Sequence, residues 1–183
     1  MTAGHGPSGP LPKLVILVGF MGAGKSSIGR LLASRLGRCF VETDDIIVSL
    51  GGRSITEIFQ QEGEARFREL EARTLESLKL KRGDVVATGG GLPCYEGRME
   101  ALRALGTVLW LKGEFGEMYE RAQREGARPM LLGRTRSEVQ ALYWQREPYY
   151  GQSDLTVETT GLGIDQVVAR ILSSLRGAGG ARV

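Results

Sequence analysis

The chain has 183 residues, 42% of them apolar and 25% charged, which is enough for one hydrophobic core and short for two. A net charge of +3 with no dense run of Lys or Arg argues against a nucleic-acid partner, and two cysteines, Cys39 and Cys94, are too few for a disulfide framework or a zinc cluster. No apolar run approaches the roughly eighteen residues that span a bilayer, and the Gly- and Pro-rich start lacks the pattern of a secretory signal. The expectation is a cytoplasmic protein with no membrane partner, made of a single domain over 13–175 between disordered tails at 1–12 and 176–183.

In chain order, Leu14 to Val18 is a continuous apolar run closed by Gly19, the pattern of a strand buried on both faces of a parallel sheet. Ile28, Leu31, Leu32 and Leu36 then recur at helical spacing, and Gly37 is a natural stop. Further short strands are predicted at Phe40 to Thr43, Val85 to Thr88, Val108 to Leu111 and Leu155 to Val157, with helices between them.

The connection from Asp44 to Gly83 is long and reads as almost wholly helical. Ser54-Ile55-Thr56-Glu57 has capping-box spacing, and Phe67, Leu70, Thr74 and Leu78 make one face of a longer helix. Such an insertion suggests a substrate-binding subdomain. Residues 125–137 carry Gly126, Arg128, Pro129, Gly133, Arg134 and Arg136, which suits either a basic flap or an ordinary solvated loop. Strands alternating with helices imply a parallel sheet with helices on both faces.

The segment Gly19-Phe20-Met21-Gly22-Ala23-Gly24-Lys25-Ser26 fits G-x-x-x-x-G-K-[ST] and lies between a predicted strand and a predicted helix, the context that a P-loop requires. Glycines let main-chain amides turn toward phosphate oxygens, and the following helix adds the positive end of its dipole. Gly22, Ala23, Gly24, Lys25, Ser26 and Ser27 are therefore candidates to bind ATP, with Lys25 on the β- and γ-phosphates and the Ser26 hydroxyl on Mg²⁺. The chain contains no Asn, which removes the base-reading motif of guanine-nucleotide switches and the protein-kinase catalytic loop. A lone His5 removes a Ser-His-Asp triad.

Four further segments stand in a telling order: Glu42-Thr43-Asp44, Phe67-Arg68-x-x-Glu71, Gly89-Gly90-Gly91 and Arg146-x-Pro148-x-Tyr150. With the P-loop and Arg128-Pro129 they cover most of the chain, and in this order they resemble the shikimate kinase family. The resemblance implies a five-stranded parallel sheet of order 2-3-1-4-5, an insertion over about 44–83, a lid over about 125–137, and a monomer acting on shikimate and ATP. It further implies that Asp44 binds substrate hydroxyls and takes the proton of the attacking one, that Arg68 and Arg146 clamp the shikimate carboxylate, and that Gly89, Gly90 and Gly91 line the site. Arg128 would close over the phosphates, Arg121 would stack on adenine, and Glu42 would reach Mg²⁺ through water where the family usually has Asp.

The chemistry is consistent with these roles, because a planar guanidinium meets a carboxylate through two parallel hydrogen bonds and a carboxylate at a strand's C-terminal end faces the ligand crevice. Each residue also has a plainer reading. Asp44 or Asp45 would serve as a helix cap, Glu64 would pair with Arg68 four residues on, Glu147 stands beside Arg146, Arg124 competes with Arg121, and three glycines also suit a loop with unusual backbone angles. At the level of function, a gluconate or nucleoside monophosphate kinase shares the first strand and loop. A regulatory ATP-binding module would need neither Asp44 nor a remote basic site.

Overall fold

A computed structural model describes residues 13–81, 83–124 and 133–179. Five strands, β1 (Leu14–Val18), β2 (Phe40–Glu42), β3 (Val85–Ala87), β4 (Gly106–Lys112) and β5 (Leu155–Glu158), form one sheet in the order β2-β3-β1-β4-β5. Every pairing is parallel, so each return crosses over a helix. The predicted strand order and the central place of the first strand are both observed.

All five residues of β1 are buried, as a strand flanked by two neighbours and covered on both faces must be. Helix α1 (Lys25–Leu36) lays Ile28, Leu32 and Ala33 on the sheet and ends at Gly37, whose left-handed backbone returns its N–H to the last turn. Strand β2 ends one residue earlier than the spacing predicts, because Thr43 already opens helix α2 (Thr43–Gly51). At the other side of the sheet, β4 starts earlier than predicted. A Cβ at Gly106 would stand 2.2 Å from the Leu14 carbonyl oxygen, so only glycine lets the two strands pair from that point.

The described part of the long connection is mostly helical, with α2 followed by α3 (Ile55–Gln61) and α4 (Gly63–Leu78). The capping box is present: Ser54 Oγ accepts from the Glu57 N–H while the Glu57 carboxylate accepts from the Ser54 N–H. Ile47, Ile58, Phe67 and Leu70 bury together in a small apolar cluster separate from the sheet core. Burying side chains of this size contributes about 1.5–3 kcal/mol each, enough to hold three short helices against the site.

Helices α5 (Arg98–Leu105), α6 (Phe115–Arg124) and α7 (Arg136–Tyr150) complete the sheet's flanks with α8 (Ile164–Gly179). Helix α8 continues past Leu175 into the stretch predicted to fray, since Leu172 and Leu175 still pack on the core and Arg176 Nε bonds the Leu172 carbonyl. Among the described residues, no helix is long and apolar enough to cross a membrane.

Candidate active site

Two loops leave the carboxyl ends of neighbouring strands and lie side by side. The first follows β1, where Gly19, Gly22 and Gly24 all have positive φ. At Gly22 the demand is steric as well: a Cβ would stand 1.9 Å from the Met118 carbonyl oxygen of α6. Lys25 is 8% exposed, and its Nζ donates to the Gly19 and Phe20 carbonyls at 2.8 and 2.9 Å, tying the helix start to the strand end. Gly22, Gly24, Lys25, Ser26 and Ser27 line a cavity of about 460 Å³. Ala23 does not line it, since its side chain is fully buried and its N–H donates to the Phe20 carbonyl.

The second loop follows β3. Thr88 donates its N–H and its hydroxyl to the Leu17 carbonyl, and the Gly89 N–H donates to Thr43 Oγ at 2.8 Å. None of Gly89, Gly90 and Gly91 has positive φ, so space and not backbone angle explains the triplet. A Cβ at Gly89 would stand 2.7 Å from Asp44 Oδ1, and one at Gly91 would stand 3.2 Å from both Arg68 Nη1 and Arg146 Nη2. The Gly90 carbonyl accepts from Tyr150 Oη at 2.6 Å, which fixes the loop from α7.

The same cavity carries Glu42, Asp44, Arg68 and Arg146 along with all three glycines. The N-cap position of α2 is Glu42, whose side chain makes no capping bond to the helix, and Asp44 lies in the first turn, so the capping reading of Asp44 does not hold. Ser26 Oγ donates to Glu42 Oε1, whose other oxygen accepts from Arg30 at 3.0 Å. Two hard oxygen groups thus meet at the mouth of the P-loop, which suits Mg²⁺, an ion that keeps most of its waters and takes few protein ligands.

Arg68 and Arg146 reach Gly91 from different elements and differ in their surroundings. Arg68, on α4, bonds Glu64 through Nε and Nη2 and Glu71 through Nη1, so the helical ion pair is real and is only part of its environment. Burial works against its charge, and the hydrogen bonds it donates to Glu71 and then Glu64, with the Glu71 charge, outweigh that, holding the guanidinium's pKa above the ordinary arginine value. Arg146, on α7, is only 8% exposed and lies over the Phe20 ring at 6.0 Å. Among the described residues, no carboxylate comes within ion-pair distance of Arg146, and neighbouring Glu147 pairs with Lys112 instead.

Arg121 stands on the far side of the P-loop, with Nη2 on Glu117 at 2.7 Å and Nη1 near the Gly22 carbonyl at 3.4 Å. Arg124 pairs outward with Glu120 and does not approach the loop. Arg128 and most of the lid segment lie outside the described residues. Three site features were not read from the sequence: the Tyr150 hydroxyl on Gly90, the stacking of Tyr95 on Arg68 at 4.9 Å, and Arg98, whose Nη1 bonds Glu71 at 2.9 Å. Glu71 and Tyr150 stood in the quoted motifs, but nothing in their spacing announced these contacts.

The shikimate kinase family model matches residues 21–176 of this chain. The chain belongs to the shikimate kinase family. Curated relatives named shikimate kinase from Persephonella marina and Symbiobacterium thermophilum are each 40% identical to it, over 88% and 90% of this chain and 98% and 97% of theirs. Among solved structures, a shikimate kinase from Acinetobacter baumannii in complex with shikimate superimposes with a TM-score of 0.86 at 32% identity, covering 91% of this chain and 94% of that one. A gluconokinase from Sinorhizobium meliloti, at 19% identity and a TM-score of 0.58, shares with this shikimate kinase family member the fold alone.

Proposed function

We propose that this enzyme transfers the γ-phosphoryl group of ATP to the 3-hydroxyl of shikimate, giving shikimate 3-phosphate and ADP. The observation that carries the reading is Arg146: a buried guanidinium with no carboxylate partner among the described residues, converging with Arg68 on Gly91. A buried cation is costly unless an anion meets it, and a substrate carboxylate is the anion that fits two guanidinium groups.

With the acid held at that end, Asp44, which lines the same cavity as the P-loop residues, would receive the proton of the attacking hydroxyl. The hydroxyl oxygen bonds to the γ-phosphorus as the bond to the β-phosphate oxygen breaks. Lys25 meets the negative charge of the phosphates, and positioning with positive charge supplies most of what phosphoryl transfer needs. Arg121 is the candidate for adenine and Arg128 for closure over the phosphates. Ser26, directly, and Glu42, through water, would hold Mg²⁺, which when bound neutralises charge on the phosphate oxygens.

The test is ADP release with Mg²⁺ and ATP in the presence of shikimate, gluconate or AMP. Release that depends on shikimate and ignores the other two is expected. Equal release with gluconate, or release that needs no acceptor, would overturn the assignment.

A further inference from the structure

Arg98 is the first residue of α5, the positive end of a helix, where a cation is electrostatically misplaced. Its side chain is nonetheless 13% exposed and makes two bonds to α4: Nη1 to Glu71 Oε2 at 2.9 Å and Nη2 to the Arg68 carbonyl at 3.1 Å. Glu71 is 1% exposed and uses that same oxygen to accept from Arg68 Nη1 at 2.8 Å. Tyr95 completes the arrangement, its ring lying 4.9 Å from the Arg68 guanidinium carbon and 4.5 Å from that of Arg98. One buried carboxylate oxygen is therefore shared by two guanidinium groups.

The sharing matters for charge. At the acid-binding end Arg68 is paired with both Glu64 and Glu71, whereas Arg146 has no carboxylate partner among the described residues. With these two acids alone, Arg68 would have little to offer a ligand carboxylate, because it is engaged on both sides. Arg98 brings a second cation to Glu71, and by taking part of that carboxylate it leaves Arg68 with charge to spare.

We infer that Arg98 is a positioning residue for the acid substrate, which it never touches: through Glu71 and the Arg68 carbonyl it fixes the Arg68 fork and frees part of its charge for the ligand. The inference rests on the function proposed above, in which Arg68 binds the substrate carboxylate. Without Arg98, Glu71 would pair with Arg68 alone and hold it back from the ligand. The loss would fall on shikimate affinity and spare both the nucleotide and the chemical step.

The experiment compares wild type, Arg98→Met, Arg98→Lys, Glu71→Gln and the Arg98→Met/Glu71→Gln pair by steady-state kinetics, with thermal melts to confirm that each is folded. Arg98→Met is expected to raise the KM for shikimate about 5- to 20-fold, leave the KM for ATP and kcat within about twofold, and be partly rescued in Arg98→Lys, on the scale of one lost charge-assisted bond. In the Glu71→Gln background the Arg98→Met penalty should shrink, because the carboxylate through which Arg98 acts is gone. An active wild type whose KM for shikimate is unmoved in Arg98→Met would overturn the positioning role alone, as would a penalty undiminished by Glu71→Gln. Should Arg98→Met not fold, Arg98→Lys decides: a guanidinium-specific role requires a raised KM for shikimate there, and a wild-type value overturns it. A wild type that does not phosphorylate shikimate at all would remove the proposed function, and this inference with it.

Discussion

The phosphate end and the acid end of the site are built in opposite ways. The phosphate end comes from one contiguous stretch, residues 19 to 27, and its shape is set by main-chain geometry: three positive-φ glycines and the Lys25 ammonium bonded to two loop carbonyls. The acid end draws on side chains from α2, α4, α7 and the loop after β3, and its shape is set by ion pairs and by the absence of three Cβ atoms. Main-chain sites withstand side-chain change except where a glycine or a charge is essential. Side-chain sites spread their sensitivity over many distant positions.

This contrast can be broken most sharply at Lys25. Lys25→Ala removes the ammonium that lines the phosphate end and should lower kcat by about 10²- to 10³-fold, as expected for losing a preorganised donor to developing charge. Turnover within tenfold of wild type would sink the P-loop assignment. A smaller effect is expected at the acid end, where Arg68→Ala and Arg146→Ala should each raise the KM for shikimate by the equivalent of roughly 1.5–3 kcal/mol while ATP binding stays nearly unchanged. Arg146 should be the more costly of the two, since Arg68 already shares its charge with Glu64 and Glu71. The reverse order would show that the buried arginine is structural.

The smallest effect tests the joint between the ends. Tyr150→Phe leaves the Gly90 carbonyl without its 2.6 Å bond and should cost about 0.5–1.5 kcal/mol at neutral pH. Burial, with nearby Cys94 adding to it, raises the Tyr150 pKa well above the ordinary tyrosine value, so the fold requires the neutral phenol. The stability from this group is full below the unfolded pKa of about 10 and is lost as pH climbs above it toward the folded value. Tyr143, pushed up to about 12 chiefly by burial, loses stability in the same direction. Thermal melts between neutral pH and about pH 11 should therefore fall less steeply in Tyr150→Phe than in wild type, and equal slopes would refute the linkage.

Legibility in the sequence follows the same division. The P-loop could be read because its residues are neighbours in the chain, and the Ser54 capping box because its partners are three residues apart. The role of Gly22 against Met118 was hidden, since the clash lies between β1's loop and a helix nearly a hundred positions later. Ala23 illustrates the converse: the motif names it with its neighbours, and only the fold shows that its side chain packs into the core. Arg98 had no signal at all, because a basic residue opening a helix looks like an ordinary solvated charge until Glu71 is seen beneath it. Spacing conveys contacts within one element, and charge balance between elements appears only in three dimensions.

The two loops hang from adjacent strands, with Leu17 opposite Ala87 in the ladder, so the gap between them is tied to the interstrand repeat of about 4.8 Å. Neither loop can back away without tearing hydrogen bonds from the middle of the sheet. The width of the cleft between the P-loop and the glycine loop is therefore built into the sheet, and under the proposed function the substrate must fit it, since the loops cannot part to admit one.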